Sequence, residues 1–191
     1  MTILESLLAV FGIRGPLEES AYSVTRTLDR GVEIRVYASR AAVETGMSRG
    51  GDSDAFRRLF AYISGGNGRG ERIAMTVPVE AAGQRLAMTV PVERDAAKMR
   101  FFLPAALAAD PPTPTDPKVS LTTVPEQHLA VLRFSGRATD TARAKQMARL
   151  VKVLADAGIA TEGAPFFMGY DPPFTIPFLR RDEVAIRVPT G

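Results

Sequence analysis

The sequence predicts an α+β fold in which two similar units join their strands in one curved antiparallel sheet or barrel. Short runs of alternating apolar and polar residues indicate strands, and two longer stretches with apolar residues at helical spacing indicate amphipathic helices. A proline-rich stretch at residues 106–118 separates two halves that repeat the same order of elements. Because a shared sheet buries the apolar faces of both helices, we expect one domain rather than two.

The first half, at about residues 20–105, begins with a predicted pair of strands. Residues 32–39 (VEIRVYAS) alternate between apolar and polar side chains, and residues 21–28 are the expected hairpin partner. A helix is predicted at residues 52–63, where Gly65 follows as a stop signal. Its expected buried stripe consists of Phe56, Leu59, Phe60 and Ile63. Residues 99–104 (MRFFLP) then predict a buried strand.

The heptapeptide AMTVPVE occurs twice in this half, at residues 74–80 and 87–93. Apolar residues alternate along both copies, Gly83 lies between them, and each proline lacks the N–H that a central strand needs. These features predict a β-hairpin. The apolar face of its first copy is expected to carry Ile73, Met75, Val77 and Val79. The motif offers no catalytic nucleophile, so we interpret it as a structural element.

The second half, at residues 117–191, repeats the order of the first. A helix is predicted at residues 138–158, where Gly158 ends the periodic pattern. Its buried stripe is expected to consist of Met147, Leu150, Val151 and Leu154. The strands expected in this half are residues 118–124, 128–136, 165–173 and 182–188.

Residues 1–19 form a separate N-terminal segment ahead of the predicted domain at residues 20–191. Apolar residues at helical spacing lie between residues 3 and 11, so we expect a short amphipathic helix that docks on the core or on a partner subunit. A weak contact with a membrane surface through residues 3–13 is the alternative. No apolar run approaches the roughly 20 residues of a membrane-spanning helix, and the segment lacks the basic start of a secretory signal.

The composition narrows the function classes. The chain has no Cys, which excludes disulfides, thiolate zinc sites and a Cys nucleophile. Together with the missing signal pattern, this agrees with a cytoplasmic protein. The formal net charge is +3, and arginines are scattered along the chain instead of forming one basic stripe. This distribution argues against nucleic-acid binding and favours acidic small ligands.

Six segments between residues 20 and 188 resemble, in correct order, the SOUL haem-binding family. They are VEIRVYASRAAVET, FRRLFAYISGGNGRGERIAMTVPVE, RLAMTVPVE, MRFFLP, AVLRFSG and YDPPFTIPFLRRDEVAIRV, and the doubled AMTVPV segment resembles many bacterial members. The resemblance implies a distorted antiparallel β-barrel flanked by two helices. It also implies non-enzymatic, reversible binding of haem b or another tetrapyrrole in an apolar surface groove, for buffering, transport or sensing.

A porphyrin needs an apolar groove and cations for its two propionates. We therefore place the expected groove between the first helix and the late aromatic segment, with Arg57 or Arg58 on a propionate. The candidate binding residues are Arg57, Arg58, Phe60, Arg69, Phe174 and Arg180.

The only His, His128, is the candidate axial ligand of a haem iron. An ordinary residue at the end of a strand is the alternative, and some family members use a His in the N-terminal half, where this chain has none. Three other functions stay open. One is an effector-binding module for other amphipathic small molecules, and another is a hydrolase that uses a carboxylate in the groove. The third is a structural or partner-binding protein that uses the N-terminal amphipathic segment.

Overall fold

The computed structural model describes residues 18–47, 52–81, 98–171 and 174–190. Within these ranges the chain forms eleven strands, two α-helices and three short 3-10 turns. The strands are β1 (Glu18–Glu19), β2 (Tyr22–Thr27), β3 (Val32–Tyr37), β4 (Arg40–Gly46), β5 (Thr76–Val77), β6 (Val79–Ala81), β7 (Lys98–Phe102), β8 (Val119–Val124), β9 (Gln127–Phe134), β10 (Glu162–Gly169) and β11 (Asp182–Arg187). The helices are α1 (Asp52–Ile63) and α2 (Asp140–Asp156).

Nine strands form one antiparallel sheet in the order β2-β3-β9-β11-β10-β6-β7-β4-β8. Within the described residues this sheet has two edges, β2 and β8, so it is a half-barrel. The two remaining strands, β1 and β5, pair in parallel. The predicted α+β fold with an antiparallel barrel-like sheet and two helices is confirmed.

The order of the strands shows how the two halves are related. Eight strands, from β3 to β8 in this order, remain when the edge strand β2 is set aside. Exchanging β3 with β8, β4 with β9, β6 with β10 and β7 with β11 turns their order into its own reverse. One strand of each half also pairs with a strand of the other half at each end of this order, because β3 lies on β9 and β8 lies on β4. This pseudo-twofold exchange interlocks the halves in a single sheet.

Both helices pack on one face of the sheet. The core there contains Leu59 of α1, Leu150 and Leu154 of α2, and inward side chains from β3, β7, β9 and β11. The opposite face has a smaller apolar cluster around Tyr37, Leu129 and Met168. None of the described helices is long and apolar enough to cross a membrane.

The predicted helix stripes are correct at their centres and wrong at one edge each. In α1, Leu59 and Ile63 are buried, but Phe60 is 49% exposed and Phe56 is also partly exposed. In α2, Met147, Leu150 and Leu154 are buried as predicted, whereas Val151 is exposed and Val153 is buried in its place. Periodicity locates a helix face to within about one residue position, and contact with the sheet decides which flank is covered.

The first AMTVPVE copy forms β5 and β6 on either side of Pro78, and the second copy lies outside the described residues. Pro78 cannot donate to a sheet, so it separates the two short strands. As a result Val77 faces the cluster around Tyr37, whereas Val79 packs on the helix side. The expectation that both valines share one apolar face is therefore wrong.

Candidate ligand-binding site

A cavity of about 520 Å³ opens between the start of α2 and the loop that joins β10 to β11. This volume lies in the usual range of small-molecule sites, roughly 300–1,000 Å³. Two arginines, two hydroxyl-bearing residues and three apolar residues line it: Arg137, Ala138, Thr139, Phe174, Thr175, Pro177 and Arg180.

Local sequence signals build both walls of this cavity. On one wall the Thr139 Oγ1 accepts a hydrogen bond from the Ala142 N–H at 3.2 Å, which caps the N-terminus of α2. On the other wall Pro177 begins the 3-10 turn Pro177–Leu179. The Gly136 N–H donates to the Pro177 carbonyl at 2.8 Å and ties the two walls together.

A buried carboxylate lies behind Arg180. The Arg180 guanidinium approaches the Asp182 Oδ2 at 3.3 Å, and the Asp182 side chain is fully buried. Burial raises the pKa of Asp182 to about 6, although Arg180 and Arg143 of α2 act in the opposite direction and Asp171 reinforces the rise. The carboxyl group that pairs with Arg180 therefore changes its protonation state close to neutral pH.

The structure brings together two of the predicted binding residues, Phe174 and Arg180, on the wall of this cavity. The other four occupy the region of α1 and the loop after it. The Arg58 guanidinium donates to the Thr45 Oγ1 at 3.1 Å and to the Gly46 carbonyl at 2.9 Å, so it fastens α1 to β4.

The remaining candidates of this region have surface partners. Arg57 pairs with Asp54 one turn earlier on the same helix, and Arg69 pairs with Asp110. The Phe60 ring stacks on the Phe56 ring with centroids 5.9 Å apart. None of these residues belongs to the lining of the cavity. Arg57 and Phe60 are exposed on α1, and Arg69 is exposed in the loop after it.

The single His lies at the far end of β9 from the cavity. His128 is the second residue of that strand, and Arg137 follows its last residue, Phe134, by three positions. About 20 Å of extended chain separates His128 from Phe134. The His128 Nε2 is 3.5 Å from the Glu126 Oε1. Among the described residues, no cluster of three or more His, Asp or Glu side chains is arranged to bind a metal ion.

Sequence reasoning missed a buried network of charges on the sheet face opposite the helices. The alternation in VEIRVY suggested that Arg35 would be solvent-facing, but Arg35 is buried and donates to the Glu183 carboxylate at 2.8 Å and 3.3 Å. Arg181 donates to the same carboxylate at 2.9 Å. The signal in the sequence that could have found it is the mixed charge of residues 180–184 (RRDEV), because opposite charges so close together favour ion pairs.

A second part of this network surrounds Glu80. Its carboxylate lies 3.9 Å from Arg40 and 3.6 Å from Arg100, and within the described part of the chain its Oε1 has no hydrogen-bond partner. The Arg40 guanidinium lies over the rings of Phe102, at 3.9 Å, and Tyr37, at 4.4 Å. Arginine side chains thus cover part of this face of the sheet.

Solved structures with a similar fold share little sequence with this chain. The EcmrR–DNA complex in EcmrR-RPo superposes with a TM-score of 0.56 at 9% identity, covering 84% of this chain and 57% of that one. An uncharacterized conserved protein from Listeria innocua has a TM-score of 0.54 at 12% identity, covering 92% and 95% of the two chains. A hydrolase from the same organism has a TM-score of 0.54 at 11% identity, covering 85% and 93%. These likenesses show the fold alone.

Sequence comparison points to one family. Heme-binding protein 1 of Sus scrofa is 27% identical over 131 residues, which cover 69% of this chain and 68% of that protein. Heme-binding protein 1 of Bos taurus is 28% identical over the same length, covering 69% and 67%. The family model described as SOUL heme-binding protein matches residues 17–187. The chain therefore belongs to the SOUL haem-binding protein family.

Proposed function

We propose that this protein binds haem or a related tetrapyrrole, without covalent attachment, in the cavity between α2 and the β10–β11 loop. The observation that carries the proposal is that this cavity combines two arginines with the exposed ring of Phe174. Arg137 and Arg180 are suited to bind the two propionates, and Phe174 and Pro177 to contact the apolar macrocycle. The names of the pig and cattle relatives support the same ligand class.

The lining residues also determine how the ligand would be recognised. Among the residues that the structure describes, the lining includes no His, Cys, Met or Tyr, the usual protein ligands of haem iron, and His128 lies at the distant end of β9. Recognition would therefore depend on the propionates and the ring rather than on the iron. Such a binder is suited to buffering, transporting or sensing tetrapyrroles in the cytoplasm, since it would release them without breaking a bond to iron.

Titration with haemin, followed by the Soret absorption band, tests the proposal. We expect a shifted band that saturates near one equivalent. Arg137→Gln should weaken binding about tenfold, because a hydrogen bond to a charged group is lost, and Phe174→Ala should weaken it through lost ring contact. Arg57→Gln is the matched control on α1 and should leave the affinity unchanged. A loss of affinity with Arg57→Gln or Phe60→Ala, but not with Arg137→Gln, would move the site to α1.

The metal-free ligand distinguishes the mode of recognition. Protoporphyrin IX should bind with an affinity close to that of haemin, and His128→Ala should leave the haemin spectrum unchanged. A strong preference for haemin that disappears in His128→Ala would show axial ligation and contradict the cavity assignment.

The alternative function, binding of other amphipathic small molecules, is tested in a thermal-shift series, because a ligand that binds only the folded state raises the melting temperature. With two arginines on the cavity wall, we expect porphyrin dicarboxylates to raise it and lipophilic cations to leave it unchanged. A rise with cations alone would favour the effector-binding function.

A further inference from the structure

A cluster of apolar side chains projects into solvent beside the mouth of the cavity. Phe178 is 74% exposed, Phe174 is 52% exposed and Leu179 is 39% exposed. We call these three residues the apolar tip. Phe178 and Leu179 do not line the cavity, so the proposed ligand site gives no reason for their exposure.

The tip is part of a well-tied turn. The Leu179 N–H donates to the Ile176 carbonyl at 2.9 Å, and the Gly136 N–H donates to the Pro177 carbonyl at 2.8 Å. Directly after the turn, the Arg181 N–H donates to the Asp171 Oδ2 at 2.6 Å. The backbone therefore presents the apolar side chains in a defined position, and a partner would not need to order the turn.

The size of the tip favours a lipid surface over a protein partner. A stable protein–protein interface buries about 800 Å² on each partner and uses roughly 20–30 residues, far more than three side chains supply. Insertion into the boundary between lipid headgroups and acyl chains needs only a few apolar and aromatic side chains, because each one transfers its own surface out of water.

The charge beside the tip agrees with an anionic lipid surface. Arg137 is exposed and follows Gly136, whose N–H is bonded to the turn. Arg180, at the other end of the turn, is largely buried and pairs with Asp182. Asp140, in the first turn of α2, is the exposed charge of opposite sign nearby in sequence. Since Arg137 is the cation presented to the surface, attraction to anionic headgroups should assist docking while the apolar side chains supply most of the affinity.

We propose that the apolar tip docks this protein on the surface of a bilayer that contains anionic lipid, with Phe178 and Leu179 inserted and, while the cavity holds no ligand, Arg137 at the headgroup phosphates. The cavity mouth then faces the membrane. The use of this contact rests on the proposed function: an amphipathic tetrapyrrole, which partitions into bilayers, would pass between lipid and cavity without crossing bulk water.

The composition of the chain provides a direct probe, because it contains no Trp. In Phe178→Trp the only indole marks the tip, and in the matched control Phe60→Trp it marks the exposed aromatic surface of α1. Vesicles of phosphatidylcholine with phosphatidylglycerol should shift the emission of Phe178→Trp to shorter wavelength, and brominated acyl chains should quench it. Phe60→Trp should show neither effect. An equal response of both variants, or no response of Phe178→Trp, would overturn the proposal.

A binding measurement separates this inference from the proposed function. In co-sedimentation with the same vesicles and no haemin, Phe178→Ser should bind about tenfold more weakly than the wild type, and higher salt should weaken binding only modestly. In haemin titration without vesicles, Phe178→Ser should match the wild type.

Failure of haemin binding alone would overturn the proposed function, whereas equal vesicle binding by Phe178→Ser would overturn the docking surface. Blue-shifted emission of Phe178→Trp that depends on protein concentration without vesicles would show self-association at the tip and would also overturn the proposal.

Discussion

The Arg180 guanidinium lies 3.3 Å from the fully buried Asp182 carboxylate, and Arg180 also forms part of the cavity wall. Neither Asp182 Oδ atom has a hydrogen-bond partner among the described residues. Burial disfavours the charged form of Asp182, and this carboxylate is the partner of Arg180, which is proposed to bind the ligand.

Asp182→Asn should change the pH dependence of stability. Because burial raises the pKa of Asp182 from 3.8 to about 6 in the folded protein, the folded state binds this proton more tightly than the unfolded state does. That contribution to stability is complete below pH 3.8 and is lost as the pH rises through about 6. The free energy of unfolding of Asp182→Asn, relative to wild type, should thus rise by up to about 3 kcal/mol between pH 4 and pH 7. Urea unfolding at both pH values measures it, and a constant difference would contradict the assignment.

Glu183→Gln should destabilise the protein strongly. This fully buried carboxylate accepts hydrogen bonds from both Arg35 and Arg181. Its loss removes the anion that two buried guanidinium groups share. Arg35 keeps Glu33 and Arg181 keeps Glu19 as second partners, so the expected cost is about 3 kcal/mol, the low end for a broken buried ion pair. Urea unfolding at pH 7 measures the change, and a loss below about 1 kcal/mol would show that the network is dispensable.

Glu80→Gln is the matched contrast on the same sheet face. Burial raises the pKa of Glu80, although Arg40 and Arg100 oppose the rise, so its charged form is unfavourable in this position. Removing that charge should cost far less than Glu183→Gln at neutral pH. Equal losses in the two variants would indicate that Glu80 is as well paired as Glu183.

The two valines on α2 test the packing of the helix. Val153 is buried in the core while Val151 is partly exposed. Val153→Ala should cost about 1–2 kcal/mol of stability through lost burial and a cavity, and Val151→Ala should stay within about 0.5 kcal/mol. Thermal unfolding of the two variants side by side would measure the difference, and a reversed order would mean that α2 is rotated on the sheet.

Much of the architecture followed from local pattern. Alternation in VEIRVY and the helical spacing of Leu150 and Leu154 located elements that the structure confirms, because apolar periodicity reports directly which side of an element meets the core. The helix predicted near the N-terminus and the strand predicted for the second AMTVPVE copy remain predictions, since both segments lie outside the described residues.

The binding site was less accessible to such reasoning. Phe174 and Arg180 were predicted, but Arg137 was not, because it lies in a connection with no periodicity. Because the two loops of the cavity wall are about 40 residues apart in sequence, neither loop carries a local signal that it meets the other.

The sequence by itself determined the element types, the two-half organisation and the family, because these depend on short-range spacing and on motif order. Only the tertiary structure decided that the two halves exchange strands, that Arg35 is buried against Glu183, and that Arg137 and Arg180 share one cavity. Each of these joins residues that are distant in sequence, and such a contact becomes defined only when the chain closes the sheet and excludes water from between them.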